Sequence, residues 1–248
     1  MPKTLLITGA SRGIGAATAL LAASQGWQVA VNYAANSLAA DGVVRQIRAA
    51  GGVAIAVQAD VSLEADVLRL FETVDAKFGR LDGLVNNAGV VDVAQRVDEM
   101  SVARLERMWR TNITSSFVCA REAVRRMSTK HGGSGGAMVN VSSAAARLGS
   151  PSQYVDYAAS KAAIDTFTVG LAKEVASEGI RVNAVRPGII DTDIHASGGQ
   201  PDRAAQMAPH VPMQRTGSAK EVAQTIVWLL SDTASYTTGT MVDVTGGR

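Results

Sequence analysis

Apolar positions along the chain alternate between two spacings. Short β-branched runs at residues 4–8, 29–32, 53–58, 83–85, 138–141, 181–185 and 241–244 predict buried strands. Between them, Ala- and Leu-rich stretches at 14–25, 38–50, 64–78, 102–127, 157–177 and 219–230 carry the three-to-four spacing of helices. Strand and helix alternating over the whole length predict an α/β fold, a doubly wound parallel sheet with helices on both faces in a three-layer sandwich. No linker or repeat interrupts the pattern, so residues 1–248 are expected to form a single domain. Residues 188–217, broken by Pro201, Pro209, Pro212, Gly198 and Gly199, lose the rhythm and predict a mobile lid over a site.

The composition is 47% hydrophobic, enough for a core and incompatible with disorder. With 24 basic and 22 acidic side chains the formal charge is +2, too small for a dedicated nucleic-acid surface. Cys119 is the only cysteine, which excludes an intrachain disulfide and a multi-cysteine metal site. The first apolar run, Leu5-Leu6-Ile7, is too short for a secretory signal, and no run approaches the ~18–20 apolar residues of a membrane span. A soluble, cytoplasmic protein with no membrane partner is therefore expected. His131, His195 and His210 lack the paired spacing of metal ligands, although His195 or His210 could touch a substrate from the lid.

The first predicted strand runs into Thr8-Gly9-Ala10-Ser11-Arg12-Gly13-Ile14-Gly15 and then a helix. Glycines at such a turn let backbone approach a pyrophosphate, which then rests on the helix N-terminus. Sites that take NAD carry an acid near the end of the second strand to hold the ribose 2′-hydroxyl. Here that strand ends Asn32-Tyr33 with no acid before Asp41, and Arg12 adds a cation that attracts a 2′-phosphate. NADP(H) is the expected cofactor, with NAD(H) second.

Tyr157 and Lys161 are four residues apart, on one helix face. A phenol with a pKa near ~10 is a poor acid–base group at neutral pH, but a cation at ~4 Å and a dielectric near 20 shifts it by roughly three units. Tyr33, Tyr154 and Tyr236 have Ser37, Ala158 and Thr240 at the matching position, so only Tyr157 has this partner.

The residues TGASRGIG (8–15), NNAG (86–89), the isolated Asn112, VSS (141–143), YAASK (157–161) and Arg186-Pro187-Gly188 resemble the short-chain dehydrogenases/reductases, in family order from Thr4 to Gly247. The resemblance implies a Rossmann-type sheet of seven parallel strands, hydride transfer between a nicotinamide and a carbonyl or hydroxyl, and a homotetramer. It implies Tyr157 as acid and base, Lys161 lowering its pKa and binding ribose, Ser143 holding the reacting oxygen, and Asn112 breaking its helix to hold a relay water. For the cofactor it implies Gly9, Arg12 and Ile14 along the phosphates, Asp60 and Val61 at adenine, and Asn87, Ala88 and Gly89 along the ribose. Pro187, Gly188, Ile190 and Thr192 would meet the nicotinamide. Ser143 and Tyr157 are 14 positions apart, one more than in many members.

The substrate is expected to be a small ketone, aldehyde, sugar or 3-oxoacyl compound under the lid, whose Ile190, Ile194, Met207, Val211, Pro212 and Met213 are apolar and adaptable. The stripe Arg121, Arg125, Arg126 and Lys130 could dock an acidic acyl-carrier protein, but Glu178 would repel it. A hydrolase elbow at Gly132–Gly136 has its strand and helix in the wrong order. A cofactor-holding regulatory protein without turnover is the main alternative, and the intact Ser, Tyr and Lys speak against it.

Overall fold

The computed structural model describes residues 2–248, apart from the side chain of His195. Seven strands form one all-parallel sheet: β1 (Thr4–Ile7), β2 (Gln28–Tyr33), β3 (Val53–Gln58), β4 (Gly83–Asn86), β5 (Gly136–Val141), β6 (Ile180–Pro187) and, last in the chain, β9 (Met241–Val244). Their spatial order is β3-β2-β1-β4-β5-β6-β9, the Rossmann-type arrangement. Side chains alternate between two cores: Leu5, Ile7, Val29 and Val31 enter one, Leu6, Ala30 and Leu84 the other. The first core is covered by α1 (Gly13–Ser24), α2 (Ser37–Ala49) and α10 (Ala219–Leu230). The second is covered by α3 (Glu64–Phe78), α5 (Ser115–Met127) and α7 (Val155–Val175).

Residues 102–127 do not form one helix. α4 (Val102–Trp109) and α5 are separated by a π-helical turn, Arg110–Thr114, with Asn112 at its centre. The lid also has structure that apolar spacing did not reveal. Its ends pair as a short parallel ladder, β7 (Ile190–Asp191) with β8 (Gly217–Ser218), which closes the segment at its base. Between them lie α8 (Ile194–Ser197) and α9 (Arg203–Met207), while α6 (Ala145–Leu148) follows β5.

Candidate active site

Strand order reverses between β1 and β4, so the loops leaving them diverge around a crevice at the carboxyl ends. A polar brace shapes its floor. The Thr8 hydroxyl accepts the N–H groups of Asn87 and Ala88, each at 3.0 Å, and Asn87 Nδ2 donates to the carbonyls of Thr8 (2.8 Å) and Gly9 (2.9 Å). A Cβ on Gly15 would lie 2.6 Å from Asn87 Nδ2 and 2.7 Å from the Gly9 carbonyl, so only glycine lets α1 begin here. The helix carries no side-chain cap and no acid in its first turn, which leaves its first N–H groups to meet an anion. That donor set fits a pyrophosphate. Thr192 stands opposite, about 3.5 Å from a Cβ built on Gly13.

Asn32 braces the glycine turn from below. It is 1% exposed; its Oδ1 accepts Gly9 N–H at 3.1 Å, and its Nδ2 donates to Ala59 O (3.0 Å) and Val57 O (3.3 Å). Both ends of the amide thus tie the glycine turn to β3. Tyr33 is half-buried at the end of β2, and Ser11 is half-buried in the turn. Arg12 is exposed and makes no ion pair among the described residues. Asp60 turns onto Ser62 N–H at 2.9 Å beyond β3, beside buried Val61.

Across the crevice, the two serines after β5 divide their work. Ser142 is buried and donates to the Lys161 carbonyl at 3.1 Å, fastening α7 to the sheet, while the Ser143 hydroxyl accepts Ala145 N–H at 3.1 Å and stands beside the Tyr157 phenol. Burial holds that phenol above its ordinary pKa, and the neighbouring Ser143 hydroxyl opposes the rise. The Lys161 ammonium donates to Val141 O at 2.8 Å and lies 5.6 Å from the Tyr157 ring centre. Burial lowers Lys161 itself to about 8, against the pull of Asp165. Asn112 is buried beside them. Its Oδ1 accepts Val90 N–H (2.8 Å), and its Nδ2 donates to Val90 O (2.9 Å) and to Ser160 Oγ (3.1 Å), which in turn donates to the Tyr157 carbonyl (2.7 Å). Gly89 fits between: a Cβ there would lie 3.4 Å from both Asn112 Oδ1 and Lys161 Nζ. Ala88 precedes it in the loop held by Thr8.

After β6, Pro187 O accepts Ala144 N–H at 2.9 Å, and a Cβ on Gly188 would lie 2.8 Å from Thr245 backbone. Ile190 and Val211 are buried in the body of the protein, whereas Met213 is exposed, so the lid's apolar residues do not form one face. His131 and His210 are exposed, and the His195 side chain lies outside the described residues. The basic stripe is largely paired: Arg121, Arg125 and Arg126 all bond buried Glu122, and Arg121 and Arg126 also reach Glu64 and Asp75. Burial opposes the charge of Glu122, yet the bonds from Arg126 and Arg121 hold its carboxyl below the ordinary range. Glu178 accepts a bond from Ser128. A cavity of about 700 Å³ lined by Trp27 and Arg181 lies at the opposite, N-terminal ends of the strands, where Lys3 pairs with Asp232 and Arg80 with Asp82.

Sequence spacing missed two polar devices. One is a buried chain from Asn86 Nδ2 to Asn140 Oδ1 (3.0 Å) and from Asn140 Nδ2 to Thr168 (2.9 Å), which ties β4 and β5 to α7. The other is the ion pair Arg104–Asp156. Each joins residues 28 or more positions apart, so no local pattern announces it.

A family model described as enoyl-(acyl carrier protein) reductase matches residues 9–248. An uncharacterised oxidoreductase, YgfF, of Escherichia coli is 56% identical over 243 residues, 98% of each chain. A 3-oxoacyl-[acyl-carrier-protein] reductase of Synechocystis is 43% identical over 246 residues, 99% of this chain and 96% of that one. A short-chain dehydrogenase from Burkholderia cenocepacia, solved in complex with NADP, superposes with a TM-score of 0.90 at 33% identity, covering 99% of this chain and 97% of that one. The chain belongs to the short-chain dehydrogenase/reductase family and is an oxidoreductase.

Proposed function

We propose that the protein is an NADP(H)-dependent reductase of small carbonyl compounds. The convergence of Ser143, Tyr157 and Lys161 on one wall of the crevice, opposite an uncapped glycine turn, carries this reading. When bound, the nicotinamide supplies or accepts the hydride. Ser143 holds the substrate oxygen and Tyr157 gives that oxygen its proton in reduction, the task for which a phenol kept protonated by burial is suited. In oxidation Tyr157 takes the proton, and the Lys161 ammonium favours the phenolate. Asn112 shapes the site beside Lys161 and lies on the route by which the phenol regains its proton. Gly9, Ser11, Gly13, Ile14 and Gly15 cradle the phosphates, with Asp60, Val61 and Tyr33 at the adenine end. Asn87, Ala88 and Gly89 line the ribose, and Pro187, Gly188, Ile190 and Thr192 the nicotinamide.

The preference for NADP(H) rests on the unpaired Arg12 and on the absence of acid from the first turn of α2, which Asn36 caps by accepting Ala39 N–H at 3.0 Å. The Burkholderia relative's NADP supports it. The internal pairing of Arg121, Arg125 and Arg126 and the position of Glu178 favour a free small ketone, aldehyde, sugar or 3-oxoacyl compound over a carrier-bound one. The chain is read as one domain, 1–248, closed by a lid at about 188–217, working as a homotetramer in the cytoplasm. No helix among the described residues is long and apolar enough to cross a membrane.

Nicotinamide absorbance with NADPH and NADH, against ketones, aldehydes, sugars and a β-ketoacyl thioester, tests the reading. Turnover of at least one carbonyl class with NADPH preferred is expected, and Arg12→Ala should cost NADPH binding about 1–2 kcal/mol while leaving NADH unchanged. Tight NADPH binding without turnover of any member would replace the reductase by a cofactor-holding protein.

A further inference from the structure

Tyr157 stands in the first turn of α7, a place where helices are least restrained. The N-cap residue, Tyr154, contributes no side-chain bond to hold that turn. What holds it is Asp156, whose side chain is 0% exposed and is gripped by the fork of Arg104: Nε reaches Oδ2 at 2.7 Å and Nη2 reaches Oδ1 at 3.2 Å. The remaining nitrogen, Nη1, donates to Val93 O at 2.8 Å and to Gln95 Oε1 at 3.0 Å. Gln95 N–H closes the circuit by donating to Gln153 O at 2.9 Å, two residues before the helix. One guanidinium thus binds α4, the segment following Gly89 and the turn that bears Tyr157.

Stability does not account for this pair, because a buried ion pair is commonly matched or exceeded by apolar residues of similar volume. What an apolar pair lacks is direction. A guanidinium fork fixes angle and register at each of its partners, and a displacement of about 1 Å at a reacting group costs on the order of 100-fold in rate.

We infer that Arg104 and Asp156 are positioning residues, which set the Tyr157 phenol by clamping the first turn of α7 and residues 93–95 onto α4. This rests on the reading of Tyr157 as the acid–base group. The test compares intact wild type with Arg104→Met/Asp156→Leu, Asp156→Asn and Tyr157→Phe, using NADPH with ethyl acetoacetate as the probe ketone. The apolar pair leaves no charge unpaired, so its Tm should stay within a few degrees of wild type and its NADPH Kd within twofold. Its kcat should fall at least tenfold with KM changed less than threefold, and amides of residues 91–96 and 154–158 should exchange with deuterium faster. Should the apolar pair fail to fold, Asp156→Asn carries the same readouts, with a smaller fall in kcat expected. Wild-type kcat and exchange in the folded variant would overturn the inference and leave the pair merely structural. Wild-type turnover by Tyr157→Phe would overturn the acid–base reading instead, and the exchange readout would still decide whether the clamp exists.

Discussion

Lys161 is a lysine that folding destabilises: it is 4% exposed and its pKa is lowered by burial to about 8 from 10.5. The unfolded chain keeps this proton up to about pH 10.5 and the folded chain releases it near 8. Between those values the unfolded state binds more protons, so folded stability rises with pH, and below about 8 the full cost of burying the cation is present. Replacing it by methionine removes this dependence. The stability of wild type minus that of Lys161→Met, from denaturant titrations, should rise by up to about 3 kcal/mol between pH 7.5 and 10.5; a flat difference would contradict the buried cation. A group kept at such a cost points to chemistry. At this scale the sequence was legible wherever helix geometry fixes the outcome, as for Tyr157 with Lys161. Asn32 was not legible, because its bonds to Gly9, Val57 and Ala59 exist only once three strands have met.

Strands announced themselves better than the segments between them, since a buried parallel strand needs an apolar run of its own. Apolar spacing alone predicts one helix over 102–127, whereas the break that the family resemblance implies at Asn112 is present as a π turn between α4 and α5, where Asn112 bonds both backbone groups of Val90 and Ser160. The ladder of β7 with β8 has only two residues per strand, too few for any pattern to show. The long connection from Ser143 to Tyr157 takes up its length after α6, where Ser150 (φ 45°) and Ser152 (φ 59°) adopt the left-handed conformation beside Gly149 (φ 73°). That conformation costs a side-chain-bearing residue about 1–2 kcal/mol, and glycine returns part of the gain as unfolded-state entropy. Ser152→Gly should therefore raise stability by about 0.5–1 kcal/mol in a thermal melt, while a loss of stability would mean that the serine side chain supports the turn.

Over the whole molecule, order reversal in the sheet decides where the chemistry lies, and the motifs at residues 8–15, 86–89, 141–143 and 157–161 all reach the crevice at that reversal from distant parts of the chain. Substrate identity stayed illegible, because it depends on how lid side chains pack, and Ile190 and Val211 turned into the body of the protein while Met213 did not. The proposed assembly has a surface to match. Phe117 on α5 is 46% exposed and stacks on Phe167 of α7 with ring centres 3.8 Å apart, an apolar face that a second copy would cover. Light scattering should return four chains for wild type and fewer for Phe117→Asp; a single-chain mass for wild type would refute the assembly. The central claim, that Tyr157 moves the proton, is tested most directly by Tyr157→Phe, with NADPH affinity from fluorescence measured beside turnover of the best carbonyl substrate. A Kd within about twofold of wild type and a kcat lower by at least a hundredfold are expected, within the usual size of acid–base contributions. Turnover near the wild-type rate would contradict that claim.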